Sequence, residues 1–340
     1  MLLIKTMSTE TALLDFMPPV EGGIESLDPL AAHAIQNIGM ARAQSIERYS
    51  GTSIEGHFDP SSITYRTHNN SALGLLHNIV AFGSGIVLEP LATPTIMAMR
   101  RQGRVTGRLA DTVLRLKELQ LGARPEADAQ IDDIWKIHLT VHRHLQATLP
   151  PEEAFRYSPF NPESMVDTMG SFEIGLIRTL EVLKNRGRPL SPAARREINE
   201  SHRIKASFIG LSPDAYPDDA KELVSRWFSE GKIGMNAAAR LIHDQSCRDI
   251  PVPPPLIPIR EEVIKPLIVA MYPDEVRDEH GLAFGKSEQE RAARAIEQID
   301  LLTRPRLNIK NLDVALYGLA AREEAKLRKR GLLLPIPDPR

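Results

Sequence analysis

From Ser71 onward nearly every segment repeats its apolar residues at helical spacing, while strand signals are scarce. A chain patterned this way buries its apolar faces by stacking helix on helix. The expected class is therefore mainly α, a single multi-helix globular domain. The spacing predicts helices over Leu30 to Arg48, Ser71 to Phe82, Pro94 to Arg101, Val105 to Leu121, Glu126 to Gln146 and Pro162 to Lys184. It predicts five more over Pro192 to Phe208, Pro217 to Glu230, Met235 to Ser246, Glu288 to Leu302 and Asn311 to Lys329. Asn161-Pro162, Ser191-Pro192 and Tyr216-Pro217 mark starts, because a proline in the first turn gives up an N–H that has no helical partner anyway. The proline-rich stretch Pro251 to Pro258 predicts an extended, stiff connector. Three sections follow: an N-terminal segment over 1–70 that packs on the core, a helical core over 71–250, and the connector with C-terminal helices over 251–340.

Within that scheme, the polar residues on apolar helix faces point to chemistry. On the segment Val105 to Leu121, a rotation of 100° per residue gathers Val105, Leu109, Val113, Leu116 and Leu119 on one face. Thr112 falls inside that face and Arg108 at its edge, four residues apart and therefore stacked neighbours. On the next segment Ile131, Ile134, Trp135, Val141 and Leu145 form the apolar stripe, with His138 at its centre and His142 one turn on. Burying such groups is unfavourable unless something pairs with them. A core hydrogen bond is one answer; two stacked imidazoles on an apolar face favour ligation of a metal or haem iron.

Composition removes several alternatives. The chain has 340 residues, 42% hydrophobic and 25% charged, which is ample for a core. A net charge of -2 gives no electrostatic reason to expect nucleic acid, and the basic clusters around Arg186, Arg195 and Lys326 read as solvated helix ends. The lone Cys247 excludes an internal disulfide, a cysteine zinc site and a cysteine-held iron–sulfur cluster, which suits a reducing compartment. Met1 to Val20 lacks the pattern of a signal peptide, and the most apolar run, Ile79 to Leu88, is far shorter than the ~18 residues of a membrane span. The expected location is cytoplasmic. Gly83-Ser84-Gly85 is too short for a dinucleotide loop, and Walker, His-Glu-x-x-His and Gly-x-Ser-x-Gly motifs are absent.

Four segments in order carry a family resemblance: Ile86-Val87-Leu88-Glu89-Pro90-Leu91-Ala92-Thr93-Pro94, Gly107-Arg108-Leu109-Ala110-Asp111-Thr112, Ile137-His138-Leu139-Thr140-Val141 and Tyr157-Ser158-Pro159-Phe160-Asn161-Pro162. Together they resemble the haem-dependent oxygenases related to latex clearing protein (rubber oxygenase) and the MpaB-type oxygenase, over about residues 71 to 246. The resemblance implies helices built around a buried b-type haem pocket. It implies His138 as the proximal iron ligand, with His142 the alternative, and Arg108 and Thr112 lining the opposite side of the iron as hydrogen-bond donors to dioxygen. Ile86 to Leu91, Met97 and Met165 to Phe172 would wall the space for a small hydrophobic, unsaturated and possibly isoprenoid substrate, with Thr168 adding a hydroxyl. No electron donor is indicated.

Three positions depart from the family pattern. Thr93 stands where a histidine commonly precedes proline, Asp111 where a basic residue usually precedes the motif threonine, and His142-Arg143 where a glycine often follows. Asp111 motivates a second reading, a non-catalytic haem or hydrophobic-ligand binding protein on the same scaffold. A third is a non-haem metal enzyme using His138 and His142 with a carboxylate from elsewhere. Glu89 is open as a base or as a helix cap.

Overall fold

A computed structural model describes residues 13–234, 236–302 and 311–336. Its helices are α1 (Pro29–Arg48), α2 (Ile63–Asn69), α3 (Ser71–Gly85), α4 (Glu89–Gln102), α5 (Thr106–Leu121), α6 (Arg124–Thr148), α7 (Pro151–Arg156) and α8 (Pro162–Leu183). They continue with α9 (Pro192–Phe208), α10 (Ala220–Ser229), α11 (Ala237–His243), α12 (Lys265–Met271), α13 (Asp274–His280), α14 (Lys286–Leu302) and α15 (Leu312–Lys329). Among the described residues the one strand-like pairing is an antiparallel bridge between Leu88 and Ile233. The mainly α class holds. No helix among the described residues is long and apolar enough to cross a membrane.

Capping sets the starts that the sequence announces. Asp28 accepts from the N–H groups of Leu30 and Ala31 at the head of α1, Asn161 from Glu163 and Ser164 at α8, and Ser191 from Ala194 at α9, each followed by proline. The centre of the molecule is the pair α3 and α8, buried along most of their lengths as helices apolar on all sides must be. Glycine permits their contact: a Cβ on Gly175 would lie 2.8 Å from the backbone nitrogen of Ala81. Gly83 and Gly85 belong to the last turn of α3, and a Cβ on Gly83 would collide with the Tyr272 hydroxyl. The main apolar core runs from Ala31 through α3, α5, α6 and α8 to Ala320, so residues of all three sequence sections share it.

Three expectations need correction. The stretch Pro251 to Pro258 is extended only through Pro253; a 3-10 turn over Pro254–Leu256 follows, and Pro258 enters a helical segment that runs through a π turn (Arg260–Ile264) into α12. Pro258 sits at the second helical position, where no backbone bond is lost. Helix α4 starts at Glu89 rather than Pro94, since Pro90 is tolerated in the first turn and Pro94 then lies inside. The helix expected over Met235 to Ser246 is Ala237–His243 followed by a π turn over Asp244–Arg248; Met235 itself lies outside the described residues. Short α2, α7, α12 and α13 escaped the sequence reading because helices of one or two turns are held by packing rather than by their own propensity.

Candidate active site

Helices α5 and α6 are joined by Gly122 and Ala123 alone and pack together, which places the Arg108/Thr112 face and the His138 face against one space. That space is a cavity of about 1170 Å³, its open mouth included. Arg108, Thr112, His138 and Thr168 all line it, so the structure brings together the four residues singled out from sequence. The remaining wall is largely apolar: Phe82, Ile86 and Leu91 from one side, Met165 and Phe172 of α8 from another, and Ile137 and Val141 of α6. Val87, Leu88, Met97, Val166 and Met169, expected in the wall, are not part of it; all but Met97 pack in the core. Ala81, Ser158 and Ile209 line it without having been expected, brought in by tertiary packing.

The two stacked histidines of α6 have different fates. His142 is buried, with Nδ1 2.8 Å from the Ser158 hydroxyl and Nε2 2.8 Å from Asp28 Oδ2. Burial works against ionisation of Asp28, but the His142 hydrogen bond and the α1 amides hold its carboxyl below the usual range. Both ring nitrogens of His142 are thus engaged, Nε2 tying α6 to the cap of α1 and Nδ1 to the segment between α7 and α8. His138 is the opposite case: its Nδ1 is buried without a hydrogen-bond partner, and its ring borders the cavity. Burial, and then the positive charge of Arg108, push its pKa down to about 4, so the imidazole is neutral.

Arg108 carries a half-buried guanidinium that no hydrogen bond or ion pair engages among the described residues. Burial lowers its pKa, opposed by the charge of Asp111. Asp111 itself does not line the cavity; it pairs with Arg104 at 2.6 Å near the surface. Its departure from the family pattern reaches the site only through its charge, which acts on Arg108. The Thr112 hydroxyl lies 3.0 Å from the Arg108 carbonyl and donates to it, and Thr168 donates in the same way to Ser164 at 2.7 Å. Glu89 is engaged by Arg156 at 2.5 Å and by the Tyr157 hydroxyl at 2.6 Å. Burial and then this carboxylate push the Tyr157 phenol up to about 12.

A family model for "ER-bound oxygenase mpaB/B'/Rubber oxygenase, catalytic domain" matches residues 66–301. The chain belongs to this family. Membership in the mpaB and rubber oxygenase family gives it an oxygenase catalytic domain and, with it, the oxidoreductase class. The matched region of this oxygenase contains every residue that lines the cavity and ends before α15. No curated protein and no solved structure matches the chain. Among the described residues no group of three or more His, Cys, Asp or Glu side chains is placed to hold a metal ion.

Behind the cavity wall formed by Ala81, Phe172 and Ile209, one turn deeper, lie His68, His77, His202 and Lys205, all fully buried. Each histidine gives one ring N–H to a backbone carbonyl, as His77 Nε2 does to Phe172 at 2.9 Å, and leaves the other nitrogen unpaired. Burial, then the Lys205 charge, holds His77 down at about 3, and burial pushes Lys205 down to about 7. The unfolded chain binds a proton on His77 below 6.5 that the folded protein refuses until about 3, so this residue lowers stability as pH falls through that window. His77→Gln, which keeps a donor for Phe172, is expected to make the fall in melting stability between pH 6.5 and 4 shallower, by up to about one proton in the linkage slope. An unchanged slope in parallel denaturation series would contradict this.

Proposed function

We propose that the chain is a haem b-dependent oxygenase that acts with dioxygen on a small hydrophobic, unsaturated, isoprenoid-type substrate. The observation that carries the reading is His138, a neutral imidazole with an unpaired buried nitrogen on the wall of an apolar cavity that also holds an unpaired guanidinium. The residues present fit a haem. A largely apolar, partly open cavity supplies the surroundings, and one uncharged imidazole supplies the donor. His138 rather than His142 would hold the iron, because His142 already spends both nitrogens on Asp28 and Ser158. When bound, haem supplies the dioxygen chemistry that no side chain here provides.

The rest falls to the chain's own groups. Arg108 stays charged and directs its N–H groups to where negative charge develops on oxygen, in surroundings where a charge-assisted hydrogen bond is strong. Thr112 anchors beside it; its hydroxyl donates to oxygen only after turning from the Arg108 carbonyl. Ile86, Leu91, Met165 and Phe172 exclude water and receive an apolar chain. A cytoplasmic site, with Cys247 a buried thiol, completes the proposal.

Absorption spectra of the purified protein with haem, oxidised, reduced and reduced with carbon monoxide, test the cofactor. Oxygen uptake with squalene tests the reaction. A Soret band together with uptake is expected. A protein refractory to haem rejects the reading, and haem binding without uptake on any unsaturated probe returns it to the binding-protein alternative.

A further inference from the structure

We propose that Glu324 is the positioning residue for Arg108, reaching the cavity helix from α15, beyond the family-matched region. The inference rests on the role given to Arg108 above. Helix α5 begins with no cap of its own: Val105 at the cap position has no side-chain acceptor, and the N–H groups of Val105 and Gly107 are buried. The carboxylate of Glu324 supplies both partners. Oε1 accepts from Val105 N at 2.6 Å and Oε2 from Gly107 N at 3.1 Å.

Glu324 is 2% exposed, so its charge acts on the helix end with little screening, and Arg328 Nε at 2.8 Å holds it in place. A negative charge at a helix N-terminus also meets the positive end of the helix dipole. Arg108 is the residue after Gly107, in the first turn that this carboxylate closes. Without the cap that turn frays, and the guanidinium loses its fixed direction. A second tie joins the same helices, Lys117 to Asp313 at 2.7 and 2.9 Å. It lies about two and a half turns along α5 from Arg108 and serves as a structural control.

Glu324→Ala, Glu324→Gln, Arg108→Ala and the double variant Glu324→Ala/Arg108→Ala, each loaded with haem in the full chain, test the idea by azide titration of the ferric protein. Glu324→Ala is expected to keep the Soret band set by His138 and to bind azide roughly tenfold more weakly, as Arg108→Ala does. Glu324→Gln, which keeps one acceptor and loses the charge, is expected to fall between. In the Arg108→Ala background the Glu324 substitution should change nothing further, and Asp313→Ala should leave azide affinity unchanged. Additive losses, or an equal loss from Asp313→Ala, would overturn the proposal. Amide exchange at Val105 and Gly107, faster in either Glu324 variant, reads the cap without haem. Unchanged exchange rejects the cap; altered exchange in a protein that takes no haem rejects the oxygenase reading instead.

Discussion

His138→Ala is expected to remove the Soret band entirely while leaving the fold intact. The imidazole contributes little to stability as it stands, since its Nδ1 is buried without a partner, and removing an unsatisfied buried polar atom is close to neutral. Haem-free His138→Ala should therefore melt near the parent protein. His142→Ala should do the reverse. It removes the imidazole bonded to Asp28 and Ser158, one of the ties of α6 to α1, a loss of about 1–3 kcal/mol, yet it should retain the Soret band. Spectra and melting curves of the two variants side by side decide between the histidines; a Soret band that survives His138→Ala and disappears in His142→Ala reverses the assignment.

Arg108→Met should keep haem and lose oxygen uptake by about 10²–10³-fold, the effect typical of removing one charge-directed donor from a water-poor site. The physical reason is that no protein hydrogen bond or ion pair engages the guanidinium among the described residues. It is half-buried, flanked by apolar wall, and its nearest carboxylate, Asp111, is turned to Arg104. Such a group is available to an incoming negative partner, and developing charge on oxygen is that partner in the proposed reaction. Arg108→Lys should recover part of the loss, because it restores the charge without the planar fork. Steady-state oxygen consumption at matched haem occupancy gives the answer. Unaltered turnover in Arg108→Met would remove the arginine from the chemistry.

Much of the cavity was legible because its key residues lie on two consecutive helices. Once α5 and α6 are recognised as amphipathic, a rotation of 100° per residue places Arg108 beside Thr112 and His138 on the buried stripe, and the two-residue Gly122-Ala123 link turns both faces to one space. Proline and cap residues likewise marked α1, α8 and α9. Other features left no local trace. The distinction between His138 and His142 depends on Asp28, 114 residues away from His142 in sequence, and on Ser158. The cap of α5 comes from Glu324, 219 residues from Val105. Pro258 misled because it reads as excluding a helix, and Pro94 because it reads as a first-turn residue when the helix begins at Glu89.

The sequence by itself determined the helical class, the two faces that carry the candidate chemistry and the family they belong to. Periodicity and short motifs act within a few turns of one chain segment, so they survive in one dimension. Tertiary structure alone decided which imidazole is satisfied, which guanidinium is left unpaired and which carboxylate closes the first turn of α5. Hydrogen bonding and burial are set by neighbours in space, and those neighbours come from helices far apart along the chain.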